Sequence, residues 1–236
     1  QDFMVKGSIP DPAYLAAFEL EMELRLLGIR LVNPSTTIRK MKNEGFADVK
    51  KKRRTIITTW SPKVIDIINL TNMHSINLYA EHLMNQIGVS KYRSGDTGSG
   101  TQATTLFWKE KELDTDGFYV NDGSGLSRFN GVTAKQLVGI LKYMNESKNK
   151  DLFLRTLPIA GKSGTMRNFA KGTAAHGKVR AKSGTMTRVK SYAGYVTTKN
   201  KRNIAFAIIA NNYNCSSFQM KKKMEKIIIK LAELDK

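Results

Sequence analysis

Residues 179–211, VRAKSGTMTRVKSYAGYVTTKNKRNIAFAIIAN, decide the fold of this chain. Three runs in this stretch are rich in β-branched and aromatic residues, and they predict strands over residues 179–186, 191–198 and 204–211. Because short connections join them, we expect the strands to pair antiparallel. Helical patterns precede the strands, and a basic helix over about residues 216–234 follows them. This order of elements predicts an α+β fold in which helices cover an antiparallel sheet.

The chain before the sheet is predicted to be mainly helical. Helix starts are marked at four places: Asp11-Pro12, Ser61-Pro62, near Ser75, and Thr133 with Gln136. The glycine-rich stretch 94–100 is predicted to be a loop that precedes a helix to about Lys111. Short strands are predicted at residues 29–32 and 55–60. Between them, the polar and basic residues 38–54 predict an exposed, mobile connection.

The charge of the chain is strongly positive. Its 236 residues contain 39 Lys and Arg against 20 Asp and Glu, a formal net charge of +19. This balance favours an anionic partner such as nucleic acid, anionic lipid or an acidic cell-wall polymer. Nucleic acid is the weaker alternative, because aromatic residues are not interleaved with the basic runs. No apolar run reaches about 18 residues, so no membrane span is predicted.

Two other kinds of site are disfavoured by the sequence. Gly172 to Lys178 matches most of a phosphate-binding loop, but Val179 stands where the loop needs a hydroxyl group for Mg²⁺. Cys215 is the single cysteine of the chain, which excludes an internal disulfide framework and a multi-cysteine metal site. His74 and His82 have no third ligand at a suitable spacing. We therefore expect neither a metal nor a cofactor.

Two short motifs point to one chemistry when they are taken together. Ser75-Ile76-Asn77 lies at a predicted helix start, and Lys182-Ser183-Gly184-Thr185 lies on a predicted strand. Active-site serine enzymes that act on penicillin or D-alanyl peptides use a Ser-x-x-Lys, a Ser-x-Asn and a Lys-Thr/Ser-Gly element. Two of these three elements are present here in the order that such enzymes have.

Five stretches extend this match through nearly the whole chain, in order: GSIPDP at 7–12, SINLYAE at 75–81, DGSGLSR at 122–128, LPIAG at 157–161 and RAKSGTM at 180–186. With them, the chain resembles the low-molecular-mass penicillin-binding proteins of the D-alanyl-D-alanine carboxypeptidase/endopeptidase type. The resemblance implies a partial β-lactamase/transpeptidase-like fold. It also implies a single domain over residues 1–236 that is incomplete at its N-terminal side.

The resemblance departs from the family pattern at the nucleophile. The serine and lysine of the family's Ser-x-x-Lys lie upstream of every stretch matched here. The only Ser-x-x-Lys in this chain is residues 147–150, which follow Ser75 and are predicted to form an exposed loop at a helix end. We therefore expect this chain to be inactive on its own, as the C-terminal part of a serine peptidase.

The resemblance assigns roles to the matched residues. It implies a substrate that ends in D-Ala-D-Ala with a free carboxylate, which Lys182 would attract and the Ser183 hydroxyl would hydrogen-bond. Gly184 would let the substrate backbone lie beside the strand, and the Thr185 N–H would be an oxyanion donor.

The remaining roles fall on the helix start and on one loop. Ser75 would relay a proton to the leaving amine, and Asn77 would hold a substrate amide and orient the absent lysine. Ser124 and Gly125, within the loop 122–127, would shape the rim of the cleft. The pentapeptide Lys162–Met166 repeats Lys182–Met186 with different flanks, and it is interpreted as a loop near the site.

The expected partners follow from the same resemblance. They are the peptidoglycan stem peptide ending in D-Ala-D-Ala, β-lactams, and either the absent N-terminal segment or a second copy of the chain. The resemblance places the parent protein in the periplasm, or otherwise outside the cytoplasmic membrane, of a bacterium. The alternative hypothesis is a non-catalytic module that binds the cell wall or a partner chain, and nucleic-acid binding is the weaker one.

Overall fold

The structure, a computed structural model, describes residues 9–46, 55 and 57–235. Contacts divide the chain into two compact units, residues 1–60 and residues 61–236, which are described separately. The described part of the first unit contains α1, Pro12–Leu26, and α2, Ile38–Asn43. The prediction of a single domain over residues 1–236 stays a prediction.

The helix α1 of the first unit begins as its sequence predicts. Asp11 accepts a hydrogen bond from the Tyr14 N–H at 3.0 Å, and Pro12 is the first helical residue. The predicted mobile connection 38–54 begins with a helix, because the Thr37 hydroxyl caps α2 at the Lys40 N–H. Residues 47–54 of that connection lie outside the described residues.

Neither of the two short strands predicted in this unit is present among its described residues. Residues 29–32 are irregular, and so are 55 and 57–60, which are the described residues of the second prediction. A β-branched run becomes a strand only where a neighbouring strand offers its backbone groups. The described part of this unit contains no such neighbour.

The second unit is organised around the predicted sheet. Its strands are β1, Val179–Met186, β2, Val189–Thr197, and β3, Asn203–Asn211. They pair antiparallel in the order β1-β2-β3, with Lys182 opposite Ala193. The strand order places β1 at an edge of the sheet.

Helices cover both faces of the sheet, which confirms the predicted α+β architecture. One face packs against α8, Ser217–Ala232, in a core that includes Val179, Tyr192, Val196, Phe206 and Ile228. The other face packs against α6, Ala134–Glu146, and α7, Lys150–Thr156. Because side chains alternate along a strand, Arg180 and Lys182 lie on the face of the sheet that packs against α6 and α7.

Three further helices complete the unit: α3, Val64–His74, α4, Asn77–Tyr92, and α5, Thr97–Glu110. The loop predicted over residues 94–100 is wrong in its second half, because the Asp96 carboxylate caps α5 at the Ser99 N–H, 2.8 Å away. The glycines serve packing instead. A Cβ on Gly100 would lie 2.2 Å from the Met84 carbonyl oxygen, so α4 and α5 approach closely only with glycine there. In the described part of the chain no helix is both long and apolar enough to cross a bilayer.

Candidate active site

A cleft of about 510 Å³ lies between the α3–α4 junction, the loop 122–125 and the edge strand β1. Seven of the eight residues that the sequence predicts for the site line this cleft: Ser75, Asn77, Ser124, Gly125, Lys182, Ser183 and Gly184. The eighth, Thr185, follows them on β1 but is not among the lining residues. The elements that the sequence separates by more than 100 residues therefore share one cavity.

Lys182 connects the strand to the helix junction. Its ammonium group donates hydrogen bonds to Ser75 Oγ at 2.8 Å and to the Ser183 carbonyl oxygen at 2.7 Å. Among the residues described, no carboxylate is ion-paired with Lys182. Burial lowers the pKa of Lys182. A cation without an acidic partner at a cleft is suited to an incoming carboxylate.

Ser75 adopts an unusual backbone conformation at the junction of α3 and α4. It ends α3 in the left-handed region, with φ 55° and ψ 53°, and such a conformation costs a non-glycine residue roughly 1–3 kcal/mol. The preceding helix is anchored where Asn72 Nδ2 donates to the Thr156 hydroxyl at 2.9 Å. Asn77 is the first residue of α4, which agrees with the helix start predicted near Ser75. The junction thus presents Ser75 and Asn77 to the same cleft.

The rim loop is shaped by the Asp122 carboxylate. It accepts hydrogen bonds from the N–H groups of Gly125 at 2.7 Å and Ser127 at 2.6 Å, and from Asn130 Nδ2 at 2.9 Å. Burial raises the pKa of Asp122, but these hydrogen bonds outweigh burial and hold the pKa below its ordinary value. The loop is therefore organised around a carboxylate that stays ionised.

Glu81 on α4 ties the same loop to the helix that carries Asn77. Its carboxylate accepts hydrogen bonds from the N–H groups of Gly123 and Ser124, each at 3.0 Å. A Cβ on Gly123 would lie 2.3 Å from the Ala80 carbonyl oxygen, so this close approach needs glycine. Sequence reasoning gave Glu81 no role. The signal that could have identified Glu81 is its spacing of four residues from Asn77, which puts the two on one face of the helix.

The edge of β1 is open where it faces the cleft. Backbone hydrogen bonds from residues 158–160 cover this edge only at Val179 and Ala181. Backbone groups alternate in direction along an antiparallel strand, so the N–H groups of Ser183 and Thr185 point to the same edge as that of Ala181. In the described part of the chain no backbone partner bonds to the edge beyond Ala181.

The space beside the Gly184 Cα and the surroundings of the Thr185 side chain differ. A Cβ on Gly184 would lie 2.6 Å from Ser191 Oγ. The Thr185 hydroxyl accepts a hydrogen bond from Lys190 Nζ at 2.9 Å. The Thr185 side chain is therefore engaged with β2, whereas its backbone N–H points to the open edge of β1.

The repeated pentapeptide Lys162–Met166 also reaches the site. Gly164–Met166 form a 3₁₀ turn, and the Ser183 hydroxyl donates to Thr165 Oγ1 at 3.0 Å. A Cβ on Gly164 would lie 2.5 Å from the Met73 carbonyl oxygen. The turn therefore contacts both β1 and the end of α3. Thr165 is a neighbour of Ser183 to which sequence reasoning gave no role.

The Ser-x-x-Lys at residues 147–150 lies elsewhere. The Ser147 hydroxyl donates to the Met144 carbonyl oxygen at 2.9 Å and accepts from the Asn149 N–H at 3.2 Å, so it ends α6. Lys150 begins α7. Neither residue lines the cleft. Within residues 9–46, 55 and 57–235, no three His, Cys, Asp or Glu side chains are grouped as a metal site.

The fold is the transpeptidase-like fold that penicillin-binding proteins and β-lactamases have. The chain belongs to the D-Ala-D-Ala carboxypeptidase 3 (S13) family, whose sequence model matches residues 2–234. The resemblance seen in the sequence is thereby confirmed.

Known relatives agree with this assignment. The chain is 31% identical over 181 residues to penicillin-sensitive carboxypeptidase A of Dictyostelium discoideum, which covers 73% of the chain and 35% of that protein. It is 37% identical over 145 residues to a D-alanyl-D-alanine carboxypeptidase of Actinomadura sp., covering 59% of the chain and 27% of that protein. The chain thus spans about a third of the length of these relatives.

Solved structures support the fold. Penicillin binding protein 4 from Haemophilus influenzae superposes with a TM-score of 0.82 at 22% identity, covering 97% of this chain and 53% of that one. The TLA-3 extended-spectrum β-lactamase superposes with a TM-score of 0.54 at 22% identity, covering 71% of this chain and 61% of that one.

Proposed function

We propose that the protein is a D-alanyl-D-alanine carboxypeptidase/endopeptidase that acts on peptidoglycan stem peptides through an acyl-serine intermediate. This chain supplies the cleft that holds the D-Ala-D-Ala end. The carrying observation is the 2.8 Å hydrogen bond from Lys182 Nζ to Ser75 Oγ inside that cleft. We assign the acylating serine to a Ser-x-x-Lys outside residues 1–236, since residues 147–150 span the junction of α6 and α7 and do not line the cleft. Such a substrate implies a location outside the cytoplasmic membrane.

The substrate carboxylate binds at Lys182 and Ser183. Lys182 supplies the positive charge, and the Ser183 hydroxyl donates a direct hydrogen bond. A hydrogen bond to a charged group contributes about 1.5–3 kcal/mol. The lowered pKa of Lys182 fits this role, because a carboxylate returns the interactions that burial removed from the ammonium group.

The reacting carbonyl is polarised at the open edge of β1. As the serine oxygen bonds to the carbonyl carbon, negative charge develops on the carbonyl oxygen, and the Thr185 N–H donates to it. Removing one such donor costs about 2.7–4 kcal/mol of transition-state stabilisation. Gly184 leaves room for the substrate backbone beside the strand.

Ser75 relays the proton that the leaving group needs. When the acyl C–N bond breaks, the terminal D-Ala nitrogen must gain a proton. Because Ser75 Oγ accepts from Lys182, its own O–H can donate to that nitrogen, and the proton that the attacking serine gives up replaces the one that Ser75 loses. Asn77 holds a substrate amide on the opposite wall, and Ser124 and Gly125 form the rim. Water then hydrolyses the acyl ester and regenerates the serine.

A binding comparison tests the substrate assignment. The 236-residue chain is titrated with a peptide ending in D-Ala-D-Ala and with the same peptide as its C-terminal amide. We expect the amide to bind at least about tenfold more weakly, because it lacks the charge that Lys182 recognises. Equal binding of both peptides would remove the peptidase assignment and leave the cell-wall-binding or partner-binding module as the better hypothesis.

A second experiment tests the location of the nucleophile. The chain is incubated with fluorescent penicillin and denatured before electrophoresis. We expect no stoichiometric label to remain on it. Stable labelling would contradict an acylating serine outside residues 1–236. A Ser-x-x-Lys encoded upstream in the same reading frame would count against the non-catalytic alternative, and salt-insensitive association would exclude nucleic-acid binding.

A further inference from the structure

A second cavity on the same sheet face gathers positive charge away from the cleft. It has a volume of about 230 Å³ and lies beside the start of β1, where Lys150, Lys178 and Arg180 line it. None of its lining residues is acidic. For the described residues, none of these three cations is ion-paired with a carboxylate. Like charges that share a small space repel one another, and a bound anion relieves that repulsion.

The arginine in this cavity is held in place by the fold. Arg180 Nη1 donates to the Leu154 carbonyl oxygen at 3.2 Å, which fixes the guanidinium group against α7. A guanidinium group has five N–H donors, and this bond uses one of them. Its planar fork suits the paired oxygens of a phosphate or a carboxylate. The cavity is therefore lined by a positioned donor as well as by two lysines.

Neutral groups add donors to the same cavity. The Thr197 hydroxyl donates to Asn203 Oδ1 at 2.8 Å. The other polar group of the Asn203 side chain is its N–H₂, which can donate to a ligand. Lys162 lies close by, since its Nζ would be 3.0 Å from a Cβ placed on Gly177, another lining residue. The first lysine of the repeated pentapeptide thus brings a third ammonium group, and a fourth cation, near this cavity.

We propose that this cavity is a binding site for a phosphate-type oxyanion. The ligand is either free inorganic phosphate or a phosphodiester unit of an anionic polymer, which share the chemistry that Lys150, Lys178 and Arg180 recognise. Arg180 and Lys182 are two residues apart on one strand face, so the site lies about 7 Å along β1 from the carboxylate-binding lysine. The proposal goes beyond the peptidase function and does not depend on it.

Calorimetric titration of the full chain with inorganic phosphate at low ionic strength tests the site. We expect saturable binding that the double substitution of Lys150→Gln and Lys178→Gln weakens by at least about tenfold, because it removes two of the three lining charges. The single substitution Lys150→Gln should weaken it severalfold. Arg180 is left unchanged because its bond to Leu154 also supports the fold.

Lys148→Gln is the matched control. Lys148 is exposed, lies two residues before Lys150 and does not line the cavity, but its loss changes the net charge equally. We expect it to change phosphate affinity by less than about twofold. Equal losses in Lys148→Gln and Lys150→Gln, or binding that never saturates, would reduce the effect to the general field of a +19 protein and overturn the proposal.

A second arm identifies the source of the anion. The same variants are titrated with a glycerol-phosphate oligomer, whose phosphodiesters carry one charge each. Tighter binding of the oligomer than of inorganic phosphate, lost in the double variant, assigns the site to a polymer. Tighter binding of inorganic phosphate assigns it to the free ion. Failure of both ligands to bind overturns the site without affecting the D-Ala-D-Ala experiments.

Discussion

The pentapeptide Lys-Ser-Gly-Thr-Met occurs twice in this chain, at 162–166 and at 182–186, and the two copies fold differently. The first copy contains a 3₁₀ turn whose Met166 is fully buried. The second copy is part of β1 and pairs with β2. Gly164 has φ +52°, whereas Gly184 lies within a regular antiparallel register.

The difference between the copies shows which interactions decide a short motif. Residues 179–186 are flanked by a strand that pairs with them throughout their length. The first copy follows Pro158 and Gly161, and the Ser163 hydroxyl accepts a hydrogen bond from the Ile159 N–H at 3.0 Å, which closes a tight turn. The conformation of this pentapeptide thus depends on the partners that the surrounding chain provides, and its own sequence does not determine it. Only the second copy presents its lysine to the cleft.

The largest expected difference between the copies is in stability. Gly164→Ala should lower the free energy of unfolding by about 3 kcal/mol, because alanine is disfavoured in the left-handed region and its Cβ would meet the Met73 carbonyl oxygen. Gly184→Ala should cost less than about 1 kcal/mol, since its Cβ meets the Ser191 hydroxyl, which can rotate. Urea denaturation of the two variants measures both. Equal losses would mean that the turn is not the more constrained copy.

The next difference concerns the two lysines. Lys182→Met should weaken binding of a D-Ala-D-Ala peptide by about 10–100-fold, which corresponds to about 1.5–3 kcal/mol for a charged hydrogen bond. Lys162→Met removes the same charge from the same pentapeptide and should change that affinity by less than about twofold. Fluorescence anisotropy with a labelled peptide compares them. If both substitutions weaken binding equally, the cleft recognises only net charge.

The pH dependence of peptide binding sharpens the role of Lys182. Burial lowers its pKa, so the free protein loses this charge at a lower pH than an exposed lysine would. Carboxylate binding requires the ammonium form. Affinity should therefore be full below the lowered pKa and should fall, by up to about tenfold per pH unit, as the pH rises through it.

Titrations at several pH values, with Lys182→Arg as the control, check this dependence. The arginine side chain stays charged over the same range, so its binding curve should lose the alkaline decline. A decline that persists unchanged in Lys182→Arg would assign the titration to another group.

Much of the second unit could be predicted from the sequence because its signals are local. Propensity and capping predict the bounds of β1, the capping box of Thr133 and Gln136 on α6, and the Ser216 cap that precedes α8. The failed strand at 29–32 had the right residue types but no partner. The start of α5 within 94–100 escapes prediction because glycines usually indicate a loop, whereas Gly100 here permits a close contact with α4.

The site was predicted less completely for a related reason. Ser75, Asn77 and Lys182 carry motifs that a sequence displays, and the cleft brings them together. Glu81 contacts the rim loop and Thr165 contacts Ser183, in both cases through hydrogen bonds between distant segments. No spacing rule connects Thr165 with Ser183, because their contact depends on how the 3₁₀ turn packs against α3. The supporting residues therefore required the fold itself.

Substitution of Thr165 is expected to have the smallest and most specific effect on peptide binding. In the free protein the Ser183 hydroxyl donates to Thr165 Oγ1. When a carboxylate binds, we expect the Ser183 proton to rotate toward it while the Thr165 hydroxyl donates back to Ser183 Oγ, since each hydroxyl can both donate and accept. Thr165→Val has nearly the same shape but cannot donate. It should weaken peptide binding by about three- to tenfold, which corresponds to about 0.5–1.5 kcal/mol for one hydrogen bond.

Thr165→Ser is the matched control for this effect, because it keeps the hydroxyl and removes only a methyl group. It should restore affinity to within about twofold of the original chain, while both variants keep the original urea midpoint. Loss of affinity in Thr165→Ser as well would assign the effect to packing of the turn. Unchanged affinity in Thr165→Val would show that Ser183 holds the carboxylate unaided, and the first copy of the pentapeptide would then serve only to position α3 against β1.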